Sequence, residues 1–357
     1  MNIVQMKVNE IAETMVPLYA SCSSAEYKEI PSAMIWGPPG IGKSDIVREI
    51  GEQLKELTGK TVDVIDVRLL LFNPIDLRGI PTADANKETA KWLRPELFNL
   101  NPSKKHINII FLDEISAAPP SVQAAAYQLT LDRAVGEHKL PDNTIIMAAG
   151  NRVTDKSVAY QMPKALANRF MHFEAICDVD DWKKWAIPNE IDSRIIGFIN
   201  YKNTALFDFN PSKDDLAFPT PRSWSKVSNI LDKIPNVNNA FPLIAGLIGI
   251  GAATEFRAYC QVYNELPNID DILNGKEVEV PSRPDILYAL SSSLVSHAAK
   301  ANKTQLGNLL KFTMGISAEY STLIVKDLIK IKKVQTTILM LPQWIEWSAK
   351  HKEFILD

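Results

Sequence analysis

A phosphate-binding loop is the strongest chemical signal in this sequence. The octapeptide GPPGIGKS, from Gly37 to Ser44, matches the pattern G-x-x-x-x-G-K-[ST]. Its glycines let backbone N–H groups turn toward an anion, and the N-terminus of a following helix adds the positive end of its dipole. Lys43 would reach the terminal phosphates of a nucleotide, and Ser44 would ligate Mg²⁺.

The elements around this loop are those that phosphate binding needs. An apolar run from Ala33 to Trp36 predicts a strand before it, and the pattern from Asp45 to Leu57 predicts a helix after it. A surface turn rich in Gly and Pro is the alternative, and it would need neither element. The predicted nucleotide-binding residues are Gly37, Pro38, Pro39, Gly40, Ile41, Gly42, Lys43, Ser44 and Asp45.

Two carboxylates follow a second apolar run. Asp113 and Glu114 come directly after Ile109–Leu112, which reads as a strand buried on both faces. Asp113 would lie near the Mg²⁺ held by Ser44, so Ser44 and Asp113 are the predicted metal residues. Glu114 could accept a proton from the water that attacks the γ-phosphate. Acidic pairs are common at turns, but this one combined with the phosphate loop predicts hydrolysis.

A neutral amide ends the next apolar strand. Asn151 closes the segment AAGNR, and its amide can donate and accept hydrogen bonds at once. Such a group can orient an attacking water, which a methyl group or a charge could not do. The alternative is an ordinary turn residue, a common role of Asn. We therefore predict that Asn151 takes part in catalysis.

Two arginines are candidates for binding phosphate oxygens. Arg169 lies in PKALANRF, and at a subunit boundary its guanidinium could stabilise the transition state on a neighbour's nucleotide. A surface salt bridge is the alternative, and the nearby Arg152 competes for the role. Arg222 follows a natural helix cap, Thr220, and Pro221. A cation in the first helical turn opposes the dipole, which suggests compensation by an anion such as the γ-phosphate or by a local ion pair.

Strand-like and helical patterns alternate over the first half of the chain, which predicts a parallel sheet with helices on both faces. Ligands bind beyond the carboxyl ends of strands in such sheets, where the polar residues above would lie. After Ala175 the patterns are helical. The predicted strands are Ala33–Trp36, Val62–Arg68, Ile107–Leu112, Thr144–Ala149 and Met171–Ala175.

Composition limits the class of protein. A chain of 357 residues exceeds one ordinary core, and its formal net charge of -3 gives no general attraction to nucleic acid or anionic membranes. Three scattered cysteines, without C-x-x-C spacing, favour a reducing cytoplasm over a disulfide framework or a zinc site. We see no secretory signal, and the longest apolar stretch, Ala240 to Thr254, is too short to span a membrane. It predicts a buried helix.

These elements, in this order, resemble those of the AAA+ ATPases. GPPGIGKS resembles Walker A and IIFLDE Walker B, while Asn151 resembles sensor 1, Arg169 an arginine finger and Arg222 sensor 2. The MoxR-like group is the most similar within that superfamily. The segments DEISAAPPSVQAAAYQLTLDR and NPIDLRGIP carry that likeness, which covers roughly residues 30 to 235.

The resemblance implies an AAA+ P-loop NTPase core with a five-stranded parallel sheet, an α-helical lid and a helical C-terminal extension. The implied domains are residues 1–176, 177–235 and 236–357. The resemblance further implies ATP and Mg²⁺, a hexameric ring, and a protein partner with a von Willebrand factor A domain. An insert at about Asp76–Phe98 and a hairpin at about Ala134–Asp142 would face a central channel; their alternative is an ordinary surface loop.

Other functions stay open at this point. Related rings open or translocate DNA, one of them using GTP, and here the acidic balance and the lack of a basic and aromatic stripe count against that role. A small-molecule kinase outside the ring-forming class would need neither an interface arginine nor the helical tail. A regulatory switch, in which hydrolysis serves as a timer, would share every catalytic residue with the leading hypothesis.

Overall fold

Apolar runs flanked by polar turns form the central sheet of the first half of the chain. In the computed structural model, which describes residues 3–155, 160 and 162–351, six parallel strands lie in the order β1, β10, β2, β9, β6, β3. The strands of this sheet are β1 (Val4–Lys7), β2 (Ser32–Trp36), β3 (Thr61–Arg68), β6 (His106–Asp113), β9 (Thr144–Gly150) and β10 (Phe170–Ile176).

Helices and two small hairpins connect these strands. Strands β4 and β5 pair with each other in antiparallel fashion, as do β7 and β8. The remaining elements of this part are α1 (Val8–Ser21), α2 (Lys43–Thr58), α3 (Pro74–Arg78), β4 (Ile80–Ala83), β5 (Ala90–Leu93), α4 (Pro120–Leu131), β7 (Ala134–Val135), β8 (His138–Lys139) and α5 (Lys164–Ala167). Short 3₁₀ turns occur at Leu69–Leu71, Glu96–Phe98 and Val153–Asp155.

Register brings the carboxyl ends of the central strands to one edge. Ile35 pairs with Ala149, and Leu112 pairs with Ala148, so β2, β9 and β6 end at nearly the same height. Every residue of β2 and of β9 is buried, which is the pattern of strands covered on both faces. The polar residues that follow these strands are therefore placed at one edge of the sheet.

The sheet confirms the predicted parallel architecture and contains all five predicted strands. It has six strands, however, one more than the sequence predicted. Strand β1 adds a sixth at the edge, beside β10. Only Met6 of its four residues is buried, so it lacks the apolar run by which the other strands were found.

The chain divides into two compact units. The first reaches Cys177 and includes Pro211–Lys213, and the second comprises Asp178–Asn210 and the chain from Asp214 onward. The second is helical: α6 (Val179–Ala186), α7 (Ser193–Tyr201), α8 (Pro221–Lys233), α9 (Val237–Ile248), α10 (Ile250–Cys260), α11 (Ile269–Leu273), α12 (Pro284–Ala298), α13 (Lys303–Thr313), α14 (Ala318–Leu328), α15 (Lys332–Ile338) and α16 (Pro342–Lys350), with 3₁₀ turns at Asn203–Leu206 and Gln261–Glu265.

Packing within this helical unit crosses residue 236. Phe198 of α7 and Trp224 of α8 contact Phe256 of α10 at ring-centroid distances of 5.6 and 5.4 Å. The buried Lys183 of α6 reaches Asp327 of α14, with 3.1 Å between Nζ and Oδ1. A lid at 177–235 separate from an extension at 236–357 stays a prediction. Residues 1–2, 156–159, 161 and 352–357 of the predicted domains lie outside the described residues.

The sequence predicted one buried helix over the apolar stretch Ala240 to Thr254, and this prediction is wrong. Gly249 breaks it, with a φ of 83° that L side chains rarely adopt, and separates α9 from α10. Leu243 and Ile250 are exposed on the resulting surface. Among the described residues, no helix has both the length and the apolar character needed to cross a membrane.

Two helical glycines of the second unit provide a matched test of its packing. A Cβ at Gly197 would lie 2.6 Å from Ser292 Oγ and 2.7 Å from Tyr259 Oη, whereas one at Gly246 would meet nothing within 4 Å. We expect Gly197→Ala to lower the free energy of unfolding by about 1–3 kcal/mol through overpacking. Gly246→Ala should raise it by up to about 1 kcal/mol because alanine favours the helix. Urea unfolding of both variants checks this, and equal effects would contradict the packing of α7.

Candidate active site

The phosphate loop lies between β2 and α2, where the sequence placed it. Helix α2 begins at Lys43, two residues before the predicted start, and Gly42 precedes it with a φ of 103°. This left-handed conformation lets the chain turn from the loop into the helix, and it favours glycine. A Cβ at Gly37 would lie 2.7 Å from Ile41 Cδ1, so the start of the loop also has no room for a side chain.

Lys43 connects the phosphate loop with Asn151, which follows β9. Its ammonium donates to the carbonyl oxygens of Gly37 at 2.7 Å and Pro38 at 2.8 Å, and to Asn151 Oδ1 at 3.0 Å. The residue is 9% exposed, so the charge is held within the protein beside the loop. A phosphate in the loop would therefore meet a positive charge already in place.

Ser44 and Asp113 form the second link. Ser44 Oγ donates to Asp113 Oδ2 at 2.9 Å, which connects the first turn of α2 with the end of β6. A hydroxyl and a carboxylate are oxygen ligands of the kind that Mg²⁺ prefers, and Mg²⁺ usually takes only one or two carboxylates besides substrate phosphates. In the part of the chain that the structure describes, no three His, Cys, Asp or Glu side chains could hold a metal by themselves. The pair thus suits Mg²⁺ carried with a nucleotide.

Glu114 has an uncommon backbone conformation. Its φ of 57° lies in the left-handed region, which costs a residue with a side chain on the order of 1–3 kcal/mol. Neighbouring hydrogen bonds hold it there: Glu114 N–H donates to Asp113 Oδ1 at 2.9 Å, and Ile115 N–H donates to the carbonyl of Ala149 at 3.0 Å. The side chain is exposed, and it follows Asp113 directly in the chain. Lys87, Arg133 and Glu190 share this left-handed conformation.

Asn151 depends on a residue that sequence reasoning missed. Its backbone N–H donates to Oγ of Ser116 at 3.0 Å, and Ser116 is buried. A Cβ at Gly150 would lie 2.8 Å from the same oxygen, so the close approach requires glycine there. The signal was the run of small residues before Asn151, but nothing in the sequence shows which side chain lies against it.

The two arginine candidates near β10 differ in their partners. Arg152 binds Asp155, with 2.9 Å between Nη2 and Oδ1, and also Glu174 through Nη1. Desolvation lowers the pKa of Arg152, but the hydrogen bonds and charges of Asp155 and Glu174 outweigh it and raise that pKa above its ordinary value. Arg169 is exposed in the turn before β10, and within the described residues its guanidinium has no ion pair or hydrogen bond.

Arg222 lies in the second unit, in the first turn of α8. Thr220 caps this helix by accepting from the N–H of Ser223 at 3.0 Å, as the sequence predicted. Arg222 itself is exposed, and the described residues offer it neither a hydrogen bond nor an ion pair. The local ion pair considered as an alternative is therefore absent from that part of the chain. Asp45, also exposed, pairs with Arg48 at 3.1 Å.

The structure thus brings together Lys43, Ser44, Asp113 and Asn151, with Glu114 adjacent in the chain. Within the described residues of the first unit, Arg169 does not bond to this group. The two segments predicted to face a channel form the hairpins β4–β5 and β7–β8, and their facing a channel stays a prediction.

Residues 32–172 match the model of the ATPase family associated with various cellular activities (AAA). The match spans less than half of the chain and identifies an AAA-family ATPase domain with the AAA+ P-loop NTPase fold within it. The chain is thus an ATP-hydrolysing enzyme. No curated protein matches the sequence significantly.

Several solved structures are similar over most of the chain. NtrX of Brucella abortus in complex with ATP is 11% identical, covers 94% of this chain and 70% of its own, and has a TM-score of 0.38. The RuvB Holliday junction branch migration motor of Thermotoga maritima is 16% identical, with coverages of 83% and 86% and a TM-score of 0.36. PCH-2 of C. elegans is 12% identical, with coverages of 72% and 69% and a TM-score of 0.35. These scores are too low to support any argument.

Ser116 provides a test of this geometry. Ser116→Ala removes the acceptor of the Asn151 N–H with little change in volume, and an unsatisfied buried donor costs about 1–3 kcal/mol. We expect ATP turnover to fall about ten-fold while nucleotide binding is kept, because Asn151 loses the hydrogen bond that holds its backbone. Ser291→Ala is the control, since Ser291 is equally buried but donates to Leu287 in the second unit. Equal turnover in both variants would contradict the role of Ser116.

Proposed function

We propose that this chain is a MoxR-like AAA+ ATPase that hydrolyses ATP with Mg²⁺ in a ring oligomer, a hexamer by resemblance. Turnover would remodel or activate a partner protein, as a chaperone does. The observation that carries this proposal is the joint placement of Lys43, Ser44, Asp113 and Asn151 at the carboxyl ends of β2, β6 and β9, with an exposed Glu114 beside them. A ligand site at that edge is the rule for open parallel sheets.

Each side chain has a role that its contacts support. The residues from Gly37 to Asp45 bind the phosphates, and the Lys43 ammonium moves its hydrogen bonds from the loop carbonyls to phosphate oxygens. Ser44 and Asp113 would hold Mg²⁺, which neutralises charge that develops on the phosphates. Glu114 accepts the proton of the attacking water, and Asn151 orients that water from its place beside Lys43.

Arg169 is the better candidate for the arginine that acts on a neighbour's nucleotide. An arginine that serves another subunit must have its guanidinium available, and two carboxylates of its own chain already bind Arg152. Arg169 is exposed and lies in the turn directly before β10. Arg222 would act in cis on the γ-phosphate, since an anion there offsets the cost of a cation in the first turn of α8.

The nature of the partner follows from the resemblance and from charge. A formal net charge of -3 gives no support to a DNA motor, so we propose a protein substrate, with a von Willebrand factor A domain as the expected partner. A cytoplasmic location is in keeping with three scattered cysteines, Cys22, Cys177 and Cys260, that lack C-x-x-C spacing.

Glu114→Gln tests the proposed chemistry. The amide keeps the size of the side chain but cannot accept a proton, so turnover should fall about 10²- to 10⁴-fold while ATP stays bound. Glu190→Gln is a matched control because Glu190 is also an exposed glutamate with positive φ, in the second unit. Steady-state hydrolysis and nucleotide titration give the two readouts. Normal turnover by Glu114→Gln would remove Glu114 as the base.

Arg169→Ala tests the proposed ring. We expect turnover to fall about 10³-fold with nucleotide binding retained, the effect usual for an arginine that stabilises the transition state. Arg48→Ala is the control, since Arg48 is an exposed arginine paired within its own chain. Mixing Arg169→Ala chains with Lys43→Ala chains should restore part of the turnover, because one chain supplies the site and the other the arginine. A mixture as inactive as its components would contradict action in trans.

A further inference from the structure

Strand β10 connects the strand that enters the phosphate loop with the turn that carries Arg169. It pairs with β2 in parallel, with His172 opposite Met34 and Glu174 opposite Trp36. Trp36 and His172 are therefore diagonal neighbours on one face of the sheet, close enough for aromatic side chains to meet. Trp36 is the last residue before Gly37, and His172 comes three residues after Arg169.

The two rings are joined by a hydrogen bond as well as by stacking. Trp36 Nε1 lies 2.9 Å from His172 Nδ1, and the rings stack with centroids 6.1 Å apart and an angle of 18° between their planes. Trp36 is 6% exposed and His172 is half-buried, so this contact is partly shielded from solvent. The indole nitrogen can only donate, so Nδ1 must be the acceptor and carries no proton.

The other nitrogen of His172 then has a fixed role. A neutral imidazole that accepts at Nδ1 carries its proton on Nε2, and Nε2 lies 2.7 Å from the carbonyl oxygen of Ala167. Ala167 is the last residue of α5, where carbonyl groups lack partners within the helix. His172 supplies that partner for the carbonyl of Ala167, which lies two residues before Arg169.

We propose that His172 is a positioning residue for Arg169. Ala167 is held by His172, and the N–H of Arg169 donates to Leu166 at 2.9 Å, so the turn is fixed at both of these residues. The hydrogen bond from Trp36 fixes the tautomer of His172, so that Nε2 carries the proton that it donates to the carbonyl of Ala167. This inference rests on the proposed action of Arg169 in trans.

The mixed-chain assay tests this directly. The acceptor chain carries Arg169→Ala and keeps its nucleotide site, while the donor chain carries Lys43→Ala and keeps its arginine. His172→Phe removes both hydrogen bonds of the imidazole. Placed in the donor chain, it should lower the restored turnover about 10²-fold, because a misplacement of about 1 Å costs that much. Placed in the acceptor chain, it should cost at least about ten times less.

Two further variants separate the hydrogen bonds of His172. His172→Gln can still donate to Ala167, and His172→Asn can still accept from Trp36. In the donor chain we expect Gln to keep most of the turnover and Asn to lose it as Phe does. His106→Asn in the donor is the control, because His106 is a buried histidine of the same sheet that binds Asp63 at 2.8 Å and contacts neither α5 nor Trp36. It should leave the restored turnover unchanged.

The outcomes separate the action of Arg169 in trans from its positioning by His172. If unaltered donors fail to restore turnover, Arg169 does not act in trans, and this inference falls together with that part of the proposed function. If donors restore turnover but His172→Phe costs as much in the acceptor as in the donor, or nothing in either, His172 is only a structural residue. A donor with His172→Asn that outperforms one with His172→Gln would also overturn the proposal.

Discussion

Two adjacent side chains in the first turn of α2 tie three strand ends together. Lys43 binds the carbonyl of Gly37 beyond β2 and the amide of Asn151 beyond β9, and Ser44 binds Asp113 at the end of β6. The site exists only because β2, β9 and β6 are neighbours whose register ends them together. A shift of one residue in any of these pairings would turn the side chains to the opposite face. The arrangement of these four side chains is thus a direct product of sheet register.

The polar residues around this cluster are held by packing. Ser116 supports Asn151, and the neighbouring Gly150 has no Cβ because Ser116 and Met34 occupy that space. Glu114 keeps a strained conformation because the hydrogen bond between Ile115 and Ala149 fixes the chain that follows it. The backbone contacts of the sheet therefore hold Glu114 in its left-handed conformation.

The sequence predicted most of the fold because central strands and a phosphate loop have local signals. Strand-like runs located five of the six strands to within one residue at each end, whereas β1, only four residues long, had no such run. The break at Gly249 was missed because a glycine in an apolar stretch does not reveal its φ. Glycine spacing identified the loop. Neither Ser116 nor the pairing of Trp36 with His172 could be found, because 35 and 136 residues separate the partners and register alone joins them.

The ion pair between Lys183 and Asp327 has a consequence for the architecture of the helical unit. Both side chains are 2% exposed, and 144 residues separate them along the chain. Removing one partner of a buried ion pair leaves an uncompensated charge in the interior, which is strongly destabilising. The second carboxylate that binds Lys183, that of Asp180, is 80% exposed. Helix α6 therefore needs α14. The far end of this unit therefore stabilises its beginning, although 144 residues of chain separate the two side chains.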